Sequence, residues 1–400
     1  MVRRGNKREI ACTIIFLAIS ATSDAAVELG IDVLERNNYA LLRGKRVGLV
    51  TNQTSVDSHG DKTRVLLRQH CNLVALYTPE HGLNGTEKAG RYVKSRRDPV
   101  TGLTAYSLYG PTRRPTPAML RGIDVLVFDL QDIGCRGYTY ISTMGKCMEA
   151  AAKNNIDFVV LDRPNPLGGL RIEGPLVQAG WISFVGQFPV PYVHGMTVGE
   201  LARMVNDRGW IDGHCNLTIV PMRGWTRNLT WSDTGLRWIP TSPNIPHATT
   251  PFYYLATGMI GELAGLETGV GSDKSFEVIA AKWVNAENFT RYLRSLEIPG
   301  VSSMEFHRGR VQGSALRISP STPANLTALG IYMLAELNRT SGSNLLSRTN
   351  RSKLDIFFKV YGSSAIRSQL QRGMSPATIV ASWEKDIANF RAARRPYLLY

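Results

Sequence analysis

Several short apolar runs of the sequence each end in residues able to move protons or grip a polar ligand. Arg46-Val50 leads into Thr51-Asn52-Gln53-Thr54-Ser55, Val74-Thr78 into Pro79-Glu80-His81-Gly82, and Ala105-Leu108 into Tyr109-Gly110. Val125-Asp129 leads into Leu130-Gln131-Asp132-Ile133-Gly134-Cys135-Arg136, and Phe158-Leu161 into Asp162-Arg163-Pro164-Asn165-Pro166. Taken singly, such residues cap helices and end strands. Together they deliver carboxylates, amides, a histidine and two arginines to one rim. Carboxylates do acid-base and nucleophilic work on acetals, while aromatic faces and amides hold sugar rings and acetamido groups. Tyr106, Tyr109, Tyr138, Tyr140, Trp225, Trp231 and Trp238 are the aromatic candidates. No GxGxxG follows the first run, and neither GxxxxGK[ST] nor GxSxG occurs, so neither a nucleotide cofactor nor an esterase-type nucleophile elbow is expected.

These runs are β-branched and alternate with amphipathic stretches at Asp61-His70 and Tyr138-Asn154, the pattern of a mostly parallel sheet covered by helices. Ligands of such sheets bind beyond the carboxyl ends of the strands, where the polar clusters fall. Further on, the spacing predicts a helix over Thr197-Arg208, a strand over Leu217-Pro221 and a long Pro- and Trp-rich loop over Gly224-Pro251. A mixed α+β segment follows. Its expected elements are strands at Phe276-Trp283, Met304-His307 and Ala315-Ile318 and helices at Ala286-Leu296, Ala324-Asn338 and Pro376-Arg391.

The chain has 400 residues, 43% of them hydrophobic, and a formal net charge of +15. That size accommodates two domains. The first residues read as a secretory signal peptide over 1–25: Arg3, Arg4, Lys7 and Arg8, then an apolar run Ile10-Ile19, then Ser23-Asp24-Ala25. No second apolar stretch of spanning length follows, so the mature chain is expected to be exported, without a stable membrane anchor. A basic exported protein meets anionic glycan sooner than nucleic acid. Cys71, Cys135, Cys147 and Cys215 remain after the signal segment, none at metal-ligand spacing, so no zinc site is expected. Asn-X-Ser/Thr sequons recur from Asn52 to Asn350, which matters only for a eukaryotic host.

The ordered motifs resemble the NamZ/YbbC-like family of exo-β-N-acetylmuramidases. They are Gly48-Leu-Val-Thr-Asn52, Pro79-Glu-His-Gly82, Tyr106-Ser-Leu-Tyr-Gly110, Asp124-Val-Leu-Val-Phe-Asp-Leu-Gln-Asp132, Tyr138-Thr-Tyr-Ile-Ser-Thr-Met144 and Leu161-Asp-Arg-Pro-Asn-Pro166. Glu173-Gly-Pro175, Val193-His-Gly-Met-Thr197, Pro243-Asn-Ile-Pro246 and Tyr397-Leu-Leu-Tyr400 continue the match, which runs from Gly30 to Tyr400. The resemblance implies a Rossmann-like catalytic domain over 26–245, and a smaller α+β domain over 246–400 that forms the other wall of the cleft. It implies release of terminal N-acetylmuramic acid from peptidoglycan fragments without a cofactor, and it points to Glu80 as the leading catalytic residue. Two motifs depart from the family pattern: Leu83-Asn84-Gly85 stands where Phe-Arg-Gly is usual, and Gly134-Cys135-Arg136 where Gly-Ala-Arg is usual.

On this reading Glu80 protonates the leaving oxygen and a second carboxylate acts as base or nucleophile. Asp129, Asp132, Asp162 and Glu173 are the candidates, with Glu173 and Asp129 ranked first. Asn52, Gln131 and His194 would hold hydroxyls or the acetamide, His81, Tyr138, Asp132 and Asp162 complete the binding set, and Arg136 or Arg163 would take the lactyl carboxylate. The alternatives are a non-catalytic glycan- or solute-binding protein, which has no use for a desolvated acid, and a broader β-hexosaminidase.

Overall fold

The computed structural model describes residues 27–342 and 344–400; the signal-peptide reading lies outside them. The strands are β1 (Arg46–Val50), β2 (Asn72–Thr78), β3 (Arg96–Arg97), β4 (Thr104–Ser107), β5 (Val125–Phe128), β6 (Asp157–Leu161), β7 (Glu173–Leu176), β8 (Pro191–Val193), β9 (Leu217–Val220), β10 (Val278–Ala281), β11 (Val301–Arg308) and β12 (Val311–Ile318). Seven of them form one sheet in the order β3-β4-β2-β1-β5-β6-β9. All its pairings are parallel except that of edge strand β3 with β4. The chain builds outward from β1 to β4, then returns to β5 on the other side of β1. This reversal is the switch point at which loops diverge and open a crevice.

Alternation along these strands gives the sheet two apolar faces. Val50, Phe128, Phe158 and Val160 belong to one core with helix α3 (Tyr140–Lys153) and helix α4 (Val198–Asp207). Leu49, Val127 and Val159 belong to the other, with helices α1 (Gly30–Arg36) and α2 (Thr63–His70). The first core continues without a break into the C-terminal half, through Leu334 and Phe357. There β10-β12-β11 form an antiparallel sheet, flanked by helices Ala286–Ser295, Leu326–Thr340 and Arg351–Tyr361. The helix expected over Pro376-Arg391 is two, Pro376–Ala381 and Glu384–Ala393. The cysteines at 71, 135, 147 and 215 are all free. No described helix is long and apolar enough to cross a membrane.

Candidate active site

A cavity of about 630 Å³ lies over the carboxyl ends of β2, β4 and β5 and under the C-terminal half. Glu80, His81, Tyr109, Tyr138 and Thr139 line one wall; Tyr254, Glu262, Glu267, Phe276, Arg308 and Lys353 are on the other. Glu80 enters it from a tight turn. The Gly82 N–H donates to the Pro79 carbonyl (3.1 Å), and His81 and Gly82 both take left-handed backbone, at φ 70° and 73°. Such geometry is uncommon for histidine and costs about 1–3 kcal/mol, a strain that clusters at functional sites. His81 is fixed there by Nδ1 against the Glu87 carbonyl at 2.7 Å. The chain then folds back, so that the Gly90 N–H donates to Glu80 Oε1 at 2.7 Å. Thr139, just ahead of α3, donates its hydroxyl to Oε2 at 2.8 Å. Glu80 is only 7% exposed. A threonine hydroxyl is donor and acceptor alike, so this cradle accommodates the carboxyl group both with and without its proton.

Tyr109 stands beside Glu80. Burial pushes its hydroxyl up to about 12, with Glu80 raising it further and Arg113 lowering it. Tyr138 donates to Thr241 Oγ1 at 2.9 Å and meets Tyr140 edge-on at a centroid distance of 4.8 Å. Tyr254 opens a single π-helical turn, Tyr254–Gly258, of a kind frequent at functional sites.

Of the residues singled out from the sequence, Glu80, His81, Tyr109 and Tyr138 meet in this cavity, and the polar candidates that remain are bound elsewhere. Asn52 holds the Tyr140 hydroxyl (2.9 Å) and its own turn at Thr54 (2.8 Å). Asp129 is fully buried, taking the Thr63 hydroxyl and Arg163 Nε at 2.6 Å each. Gln131 donates to the carbonyls of Asp132 and Pro164, and with Arg163 lines a separate cavity of about 120 Å³. Asp132 takes the Gly134 N–H at 2.8 Å while its Oδ2 has no partner, and burial pushes it up to about 7. Asp162 is consumed by Thr197, Gly199 and the hydroxyl of Tyr400 at 2.6, 2.8 and 2.8 Å, and burial raises it to about 6. Glu173 pairs with Arg171 and takes the Thr327 N–H at 2.9 Å, pinning β7 to the first turn of helix Leu326–Thr340. It faces a different cavity. His194 is buried, and burial with Arg394 and Arg136 lowers it to about 3.

Neither proposed arginine is available to a ligand in the cavity. Arg136 has no exposure and donates to the carbonyls of Pro175, Val190, Val360 and Tyr361 at 2.6–3.1 Å. It neutralises the carboxyl end of helix Arg351–Tyr361. Arg163 is spent on Asp129 and the Val56 carbonyl. Asp129, Asp132, Asp162 and Glu173 likewise leave the second carboxylate unassigned. The acidic groups that do share the cavity with Glu80 are Glu262 and Glu267, and Glu267 is paired with Arg308. Thr139, Gly90 and Glu262 escaped the sequence reading. Thr139 sits inside the Tyr138-Met144 motif and was within its reach; the other two carry no local signal.

The model of the N-terminal domain of exo-β-N-acetylmuramidase NamZ matches residues 47–249, and that of the C-terminal domain matches residues 252–400. The chain belongs to the NamZ family. The peptidoglycan β-N-acetylmuramidase NamZ of Bacillus subtilis (strain 168) is 38% identical over 385 residues, covering 94% of this chain and 91% of that protein. A solved DUF1343-family protein of Bacteroides fragilis is 43% identical with a TM-score of 0.88, covering 94% of this chain and 99% of that one. A second from the same organism is 28% identical at a TM-score of 0.74, with the same coverage. Membership of the family accounts for the Rossmann-like sheet with its smaller C-terminal part.

Proposed function

We propose that this protein is an exported, exo-acting glycoside hydrolase that releases terminal N-acetylmuramic acid from peptidoglycan fragments, with Glu80 as proton donor. Similarity to the Bacillus subtilis enzyme over nearly the whole of both chains supports the reaction class and the substrate. The observation that carries the role of Glu80 is its cradle: a buried carboxyl group, aimed into a cavity large enough for a sugar and fixed by Gly90 and Thr139. A binding protein gains nothing from desolvating an acid in this way. Glu262, on the opposite wall and without an ion pair among the described residues, is our choice for the second carboxylate. The motif order of residues 1–25 supports export.

The test is hydrolysis of a chromogenic β-N-acetylmuraminide beside the matching glucosaminide. Glu80→Gln is nearly isosteric and removes the transferable proton, so kcat should fall roughly 10²- to 10⁴-fold with the fold intact. Wild-type rates in that variant would remove Glu80 from the chemistry. Equal wild-type rates on both sugars would leave a broader hexosaminidase, and binding without turnover a solute-binding protein.

A further inference from the structure

N-Acetylmuramic acid differs from N-acetylglucosamine by a lactyl ether whose carboxylate is charged at neutral pH, and a guanidinium near the acid is the group best suited to tell the two apart. Arg136 and Arg163 are committed to internal acceptors. Arg308 is paired with Glu267. Arg113 differs from all three. Its guanidinium carbon lies 3.7 Å from the centre of the Tyr109 ring and 4.6 Å from that of Phe184. It forms no ion pair among the described residues, and its Nη1 is shielded from solvent without a hydrogen-bond partner. Tyr109 lines the cavity beside Glu80, and beyond burial its hydroxyl feels both charges, Glu80 raising its pKa and Arg113 lowering it. Phe184 adjoins Val185, another lining residue.

Resting on the muramidase reading above, we propose that Arg113 binds the lactyl carboxylate of the terminal sugar and so sets the preference for N-acetylmuramic acid. A sugar whose anomeric oxygen meets Glu80 carries its lactyl group on the next carbon but one of the ring, and Arg113 stands one tyrosine away from Glu80. Two aromatic faces hold the guanidinium in place before substrate arrives, so little side-chain freedom is lost on binding. Its free donors suit the planar, two-pronged geometry of a carboxylate. Lys88, Arg91 and Arg114, all exposed on neighbouring segments of the same rim, attract an anionic sugar without fixing it. Lys353, on the far wall, is the competing cation. It is exposed and unstacked, a point charge on a flexible stem.

The experiment compares kcat/KM for a chromogenic β-N-acetylmuraminide, its neutral lactyl-amide analogue and the β-N-acetylglucosaminide, in wild type, Arg113→Met, Arg113→Lys and Lys353→Met. Wild type should prefer the carboxylate-bearing sugar. Arg113→Met should cut that preference over the amide by roughly 10- to 150-fold, the range of a hydrogen bond to a charged group. Arg113→Lys should restore part of it, since an ammonium supplies charge without the fork. Unfolding midpoints of both variants identify a folding defect, and Arg113→Lys then carries the test alone. An unchanged preference in Arg113→Met, or a preference lost in Lys353→Met instead, would overturn the assignment of Arg113 while leaving the muramidase reading intact. A wild-type protein inert on every β-muraminide would overturn that reading itself, and the assignment with it.

Discussion

Replacing Arg136 with methionine removes a buried cation and leaves four buried carbonyls, those of Pro175, Val190, Val360 and Tyr361, without their donor. An unpaired buried acceptor costs about 1–3 kcal/mol, so four come to roughly 4–12 kcal/mol. Part of this is offset, because the cation is itself strained by burial. Burial lowers its pKa from the usual guanidinium range to about 10, a penalty of about 3 kcal/mol that disappears with the charge. The net loss is about 5 kcal/mol at the middle of the range, comparable with the whole stability of many domains. Urea unfolding followed by tryptophan fluorescence measures it, with the slope checked for constancy. Arg136→Lys, which cannot reach all four acceptors, should fall between. A loss below about 1 kcal/mol at constant slope would refute the reasoning, since it would mean that those carbonyls are satisfied without the guanidinium.

The other predictions concern carboxylates. Asp132 is raised by burial from 3.8 to about 7, so the folded protein holds this proton more tightly than the unfolded chain. The stability it contributes is full below pH 3.8 and drains away as pH rises through 7, and Asp132→Asn should abolish that decline and gain about 2–4 kcal/mol at pH 8. Urea midpoints of both proteins at pH 5 and pH 8 decide it, and parallel profiles would show that Asp132 is ionised in the fold. Glu262→Gln should lower kcat on a β-muraminide at least about tenfold without shifting the unfolding midpoint, as expected of a base acting on the reaction. Unchanged turnover would place the second group elsewhere.

The parallel sheet was legible because its central strands are buried on both faces and read as continuous apolar runs; β1 and β6 begin and end within a residue of where their β-branched stretches do. The β7–β8 hairpin was not. Glu173-Gly174-Pro175-Leu176 has neither alternation nor strand propensity, and it is held by what surrounds it, including Arg136 and the first turn of helix Leu326–Thr340. The site was half legible for a related reason. Topology requires polar residues at the carboxyl ends of the strands, but a fold spends the same residue types on its own helix starts and crossings. Asp162 at α4 and Asp129 against Arg163 do that work, and nothing in their immediate sequence sets them apart from Glu80. What distinguishes Glu80 is a glycine ten residues on and a threonine from another strand's loop. Arg113 illustrates the converse: it sits in no motif, and its environment is assembled from Tyr109 and Phe184, far apart in the chain.

Gly90 reaches Glu80 through its main chain. The contact therefore depends on the path of residues 82–90 and not on the side chains that loop displays. Lys88, Arg91 and Lys94 point into solvent and are free to be exchanged without loosening the grip on the acid. Evolution or a protein engineer can thus recolour this rim for glycans of different decoration, neutral, amidated or phosphorylated, while the proton donor beneath keeps its place.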